Sequence, residues 1–233
     1  MRSIKNQQSG FTLVEIAIVL VIIGLLLGGI LKGQELINSA KVKNLANDFK
    51  TVPLYIYGYQ DRFKALPGDD IRVVTNLPGP PPATLATTGT PGNGVIEGMW
   101  NAGTVGAAPT EESALFWQHA RMANFAAGPT VTTDPNYLPT NVEGGRIGIS
   151  SNILTASGGL TINGPVAGMT GTYAFCSANL LGKFAKQLDV TLDDGNTATG
   201  SVRVIPNNSA AAATALATTA IDDASSYTVC QTF

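Results

Sequence analysis

From Phe11 to Leu31 the chain reads FTLVEIAIVLVIIGLLLGGIL, and Thr12 and Glu15 are its only side chains that are neither apolar nor absent. As a helix rising ~1.5 Å per residue, this run is about 30 Å long, one hydrocarbon thickness. It can therefore span a bilayer. A carboxylate at that depth costs on the order of 2.5 to 3.5 kcal/mol, so Glu15 reads as functional and in need of a partner. Arg2 and Lys5 precede the run and, by the positive-inside rule, keep the N-terminus cytoplasmic and send the rest outward. After Leu31 the chain continues Lys32-Gly33-Gln34-Glu35, with no small-residue secretory cleavage site, so the apolar helix is expected to stay attached.

The stretch Gly10-Phe11-Thr12-Leu13-Val14-Glu15, behind a short basic and polar leader, resembles the type III signal of type IV pilins and type II secretion pseudopilins. The resemblance covers about the first 50 residues. It implies that a prepilin peptidase cuts after Gly10 and that the new first residue, Phe11, is N-methylated. It also implies an assembly role for Glu15. Cutting leaves an α-amine on Phe11, and in a bundle of such helices the Glu15 carboxylate of one subunit can neutralise the amine of its neighbour, two costly charges becoming tolerable as a pair. Members of the family often carry Pro about twenty residues after the cut; Lys32 stands there, among Gly24, Gly28, Gly29 and Gly33. Whether the core helix melts on assembly is thus left open.

Roughly 180 residues remain for a soluble part, enough for one globular domain. The chain has 14 Lys+Arg against 16 Asp+Glu and no basic cluster beyond Lys41 and Lys43, so no nucleic acid is expected as partner. Two cysteines, Cys176 and Cys230, in a chain that leaves the cytoplasm favour one disulfide over two separate buried thiols. Their C-terminal position also resembles the disulfide region of pilins.

Apolar spacing at Leu36, Ile37, Ala40, Leu45, Phe49 and Val52 extends the helix beyond the membrane, with a kink or boundary near Pro53 and resumption to about Phe63. LPGDD at Leu66–Asp70 is a turn, and Leu77–Gly94 is a long Pro/Gly/Thr loop. Pro109-Thr110-Glu111-Glu112 predicts a helix start capped by Thr110, running to Phe125 with Phe116, Ala120 and Ala123 on one face. RIGIS and LTIN read as strands, SANLLGKFAKQLD as a helix with Leu180, Phe184 and Leu188 in line, and SVRVI and SYTVC as closing strands. The Ala/Thr tract from Ser209 to Ala220 is open between loop and helix.

Asp69, Asp70, Asn93 and Glu97 form one group of oxygen ligands among flexible glycines, and Asp193, Asp194 and Asn196 form another. Either offers the ligand chemistry of calcium without the full EF-hand spacing, and Asp-Gly and Asn-Gly are the commonest turn formers. His119, the single histidine, is expected to be a packing or surface residue, and Trp100 and Trp117 to be core. No phosphate-binding or dinucleotide glycine signature is present.

The expected fold is α+β. Residues 1–10 form a leader, 11–63 a long helix (11–31 transmembrane and filament core), and 64–233 a small, loop-rich extracytoplasmic head with an antiparallel sheet and a disulfide-closed C-terminal region. The expected function is that of a non-enzymatic pilin, major or minor, of a type IV pilus. It resides in the bacterial inner membrane and then in an extracellular filament with copies of itself and other pilins. The resemblance implies an ATPase motor and an inner-membrane assembly platform as further partners. No resident cofactor is expected, with calcium the one candidate. A type II secretion pseudopilin and a singly anchored binding module or hydrolase are the other readings.

Overall fold

The computed structural model describes residues 12–152, 155–157, 160–162, 164–209 and 211–233. The fold is α+β, with a long N-terminal apolar helix packed on a small antiparallel sheet. Two compact units divide the chain, one ending at Lys41 and one running from Val42 to Phe233. Helix α1 (Leu13–Phe63) contributes to both and includes Pro53.

In the first unit no α1 side chain is buried, and Leu13, Leu25 and Leu31 are 91, 74 and 67% exposed. Leu36, Ile37 and Ala40, which carry the helical spacing past the membrane run, are exposed as well. The helical stripe that is covered starts at Val42 and runs through Leu45, Phe49, Val52, Ile56 and Tyr59. Its spacing of three and four residues brings these side chains to one face.

That stripe meets the sheet of the second unit. The strands are β1 (Ile147–Ser151), β4 (Tyr173–Leu181), β5 (Val202–Pro206) and β6 (Ser226–Thr232), in the antiparallel order β1-β4-β6-β5. A separate hairpin joins β2 (Thr155–Ser157) to β3 (Leu160–Ile162). Along β4 the pleat sends Tyr173 and Phe175 into the main core and Cys176 and Ala178 into a second cluster with Trp100, Val166, Met169, Ile205 and Cys230. Burial on both faces explains why β4 lacks a polar alternation. Phe49 of α1 meets Phe175 edge to face, with ring centroids 4.8 Å apart.

Helix α4 (Gly182–Leu192) begins later than the sequence pattern suggests, because Ser177–Leu181 are strand. Ser177 has ladder partners in both β1 and β6, and Leu180 and Leu181 pair with β6, while the periodicity of Leu180, Phe184 and Leu188 persists because the strand's last inward residue leads onto the buried helix face. A bulge at Asn179 (φ 58°) re-aims the chain before the turn into α4. Helix α3 (Glu112–Met122) is likewise shorter than expected, and its N-cap is Glu111, not Thr110, with no side-chain capping bond. A one-turn helix α2 (Val73–Asn76) follows the LPGDD turn, and the described residues of the Ala/Thr tract are irregular apart from a bridge between Ala213 and Val166 and a 3-10 turn at Thr218–Ala220.

Candidate functional site

Gly10 and Phe11 lie outside the described residues. Just beyond them, the Thr12 amide and hydroxyl donate to Glu15 Oε2 at 2.8 and 2.7 Å, and the Glu15 amide lies 3.3 Å from Thr12 Oγ1. This reciprocal capping box satisfies amides that the first helical turn leaves open. Among the described residues Glu15 Oε1 accepts no hydrogen bond, so the carboxylate retains an oxygen for an outside donor.

In the head, α3 is buried on every side rather than on one face: every residue from Glu112 to Arg121 is covered. Its polar side chains serve the surrounding loops. Glu112 Oε2 accepts the Glu97 amide at 2.8 Å, and Ser113 Oγ donates to the Met99 carbonyl at 2.9 Å. Gln118 accepts from the Thr84 amide and donates to the Thr130 carbonyl. Arg121 donates to the carbonyls of Ala127, Pro129 and Tyr137. His119 accepts the Gly68 amide at Nδ1 and meets the Thr84 carbonyl at Nε2. Loops too polar and Pro/Gly-rich for ladders thus meet their backbone demand through one helix. The two tryptophans are buried, with the Trp100 indole donating to the Ser209 carbonyl at 2.8 Å.

The first group of proposed calcium ligands is spread over structural hydrogen bonds. Asp69 accepts the amides of Gly92, Asn93 and Gly94, an arrangement that folds the PGNG turn over it. Asp70 accepts from the Tyr59 hydroxyl, the Asn76 amide group and the Arg72 backbone amide. Asn93 accepts the Val95 amide, and Glu97 Oε2 the Thr90 amide. Both Glu97 and Glu112 are fully buried, and Oε1 of each lacks a partner among the described residues. Burial, reinforced by the charges of Asp69 and Glu97 and opposed by the Glu97 amide, pushes Glu112 up to about 8. Burial likewise raises Asp69 despite its three amide donors. A cleft of about 510 Å3 opens beside this region, lined by Lys64, Asp69, Asp70, Arg72, Gly92 and Tyr173 among others.

The second group converges, but on a residue not anticipated. Asp189 on α4 joins Asp193 and Asp194, one carboxylate oxygen of each lying within 4.8 Å of the others. Asn196 instead shapes the loop, its amide donating to Asp194 Oδ1 and its Oδ1 accepting the Ala198 amide. Burial first, then the charges of Asp194 and Asp193, raise Asp189 to about 6, with the Gly195 amide opposing. An acid four residues before a DD pair near a helix C-terminus was the available signal.

Cys176 and Cys230 are bonded to each other and face each other directly in the β4–β6 register.

Residues 5–31 match the family model described as the prokaryotic N-terminal methylation motif, the signal of type IV pilins and pseudopilins. No curated protein and no solved structure matches the chain.

Proposed function

We propose that this chain is a structural pilin subunit, major or minor, of a type IV pilus, cut after Gly10, N-methylated at Phe11 and polymerised through its apolar helix. The observation that carries the reading is the methylation motif at residues 5–31 running into a helix whose apolar side chains, from Leu13 to Leu31, are all exposed. Such a surface requires lipid before assembly and neighbouring copies after it. Covering ~1,000 Å2 of it, at about 25 cal/mol per Å2, supplies a driving force on the order of 25 kcal/mol per subunit once the helix leaves the lipid. Before assembly the head is periplasmic and the leader cytoplasmic. In the filament Glu15 meets the Phe11 amine of an adjacent subunit through its open Oε1, while Oε2 stays on Thr12. Prepilin peptidase, an inner-membrane platform and an ATPase motor act on the chain, which itself performs no catalysis.

Mass spectrometry of the N-terminal peptide from sheared, sedimented filaments tests the proposal. N-methyl-Phe11 in that fraction supports it, and filament length then separates a pilus from a short pseudopilus. Met1 on protein confined to the membrane fraction would replace it with the singly anchored binding module or hydrolase.

A further inference from the structure

Asp189 is fully buried; the Gly195 amide faces its carboxylate, but neither oxygen receives a hydrogen bond of ordinary geometry among the described residues. Asp193 is half-buried and Asp194 exposed, and no Lys or Arg forms an ion pair with any of the three among the described residues. Leaving a buried carboxylate without a partner is costly, and placing two more negative charges beside it adds to the cost. A cation removes both terms together.

We propose that Asp189, Asp193 and Asp194 form a Ca2+ site that ties the C-terminal end of α4 to the start of β5. The size fits: oxygens bonded to one Ca2+ at ~2.3 to 2.6 Å lie up to about 5 Å apart, and these lie within 4.8 Å. Mg2+, with bonds of ~2.0 to 2.1 Å and strict octahedral demands, suits a loop-borne carboxylate set less well. Three carboxylates, mono- or bidentate, supply three to six oxygens, and water completes the shell from the exposed side.

The site has a mechanical consequence within the head. Asp193 Oδ2 already accepts the Val202 amide at 2.9 Å, at the first residue of β5. Asp194 holds its own loop through the Asn196 amide and the Thr199 hydroxyl. Gly200 (φ +75°) admits this closeness, since a Cβ there would lie 2.0 Å from Asp193 Oδ2. β5 is one of the two edge strands of the sheet, paired only with β6 among the described strands. An ion held by α4 and this loop therefore fixes the edge strand against the helix, and the head becomes firmer where calcium is millimolar, as it is for extracellular calcium modules.

The inference does not rest on the pilin reading, and its test is made on purified full-length protein stripped with chelator. Calcium chloride titrated to millimolar concentration, read by thermal unfolding and by calorimetry, is expected to raise Tm by several degrees with one ion per chain, magnesium having a smaller effect. Asp189→Asn keeps the shape, relieves the buried charge and leaves the stripped protein at least as stable, yet is expected to lose the calcium shift; Asp194→Asn is expected to weaken calcium binding at least tenfold. No calcium shift in the parent protein, or an undiminished shift in Asp189→Asn, overturns the site.

Discussion

Nδ1 of His119 accepts the Gly68 amide at 2.8 Å, so the ring proton sits on Nε2, 2.8 Å from the Thr84 carbonyl. One imidazole on α3 thereby joins the turn that follows α1 to the long loop beginning at Leu77. The ring is fully buried, and burial pushes it down to about 4, against smaller opposing effects from the Thr84 carbonyl and Asp70.

Acid should therefore loosen the head through this residue. With a folded-state pKa near 4 and an ordinary value of 6.5, the unfolded chain takes up a proton that the folded chain refuses. The contribution is intact above about pH 6.5 and fades as pH falls toward 4, by about 3 kcal/mol in total. His119→Gln replaces one of the two bonds at most and should cost ~1 to 3 kcal/mol at neutral pH. Urea unfolding followed by tryptophan fluorescence between about pH 4 and 7 is expected to show a shallower acid slope in the variant.

Glu112 works in the opposite direction. Its folded-state value, raised from 4.5 to about 8, means that the folded chain holds a proton which the unfolded chain releases. Stability from this group is full below about pH 4.5 and is lost as pH rises through 8, by at most about 1.4 kcal/mol per pH unit in that window. Glu112→Gln retains an acceptor for the Glu97 amide, so the variant should match the parent near pH 4.5 and exceed it near pH 8. Chemical unfolding at the two pH values measures the difference.

Gly68 has φ +92°, and a Cβ there would lie 2.4 Å from the Glu112 carbonyl oxygen. Gly68→Ala should cost ~2 to 4 kcal/mol, combining backbone strain with a displaced α3 start. Gly94, with φ +83° and open space around its Cβ position, is the control: Gly94→Ala carries the strain alone, about 1 kcal/mol. Equal losses in the two variants would show that the turn does not press on α3.

Local chemistry explains what could be read from the residues alone. RIGIS, SVRVI and SYTVC are short β-branched runs and are strands, and the apolar run with its caps is a helix. Partners far apart in the chain were not legible: nothing near Ser177 announces that it will be claimed by β1 and β6 before α4 can begin. Amphipathic spacing in α3 suggested one buried face, yet Pro- and Gly-rich loops wrap the others, turning Gln118, His119 and Arg121 into backbone clamps. Asp189 escaped for a related reason. It reads as the exposed side of a helix until the loop folds back to place Asp193 and Asp194 beside it.

The Cys176–Cys230 bond closes a span of 54 residues containing α4, β5 and β6 up to Cys230. Since the cysteines also face each other across β4 and β6 and are buried with Trp100 and Ile205, strand pairing survives without the bond. A Cys176→Ser/Cys230→Ser variant should lose ~2 to 5 kcal/mol while keeping the parent's far-UV circular dichroism at low temperature. Loss of the sheet signal under those conditions would make the bond a requirement for folding.

Thr12 and Glu15 separate a helix cap from a contact between subunits. The capping box runs both ways, and each substitution breaks it from one side: Thr12→Ala loses both bonds of the hydroxyl and keeps the residue 12 amide on Glu15, while Glu15→Ala loses both bonds of the carboxylate and keeps the residue 15 amide on Thr12, each at ~0.5 to 2 kcal/mol of local helix stability. Only the second also removes the carboxylate that would face a neighbour's α-amine. If Glu15 acts between subunits, Thr12→Ala assembles near the parent level while Glu15→Ala and Glu15→Gln leave subunits in the membrane fraction, the Gln variant because it keeps hydrogen bonding and lacks the charge. If Glu15 acts only as a cap, Thr12→Ala fails as badly as Glu15→Ala and Glu15→Gln assembles. Quantifying subunits in sheared filaments against the membrane fraction decides between these outcomes, because the two roles place the burden on different atoms of one side chain: Oε2 for the cap and the net charge for the pair.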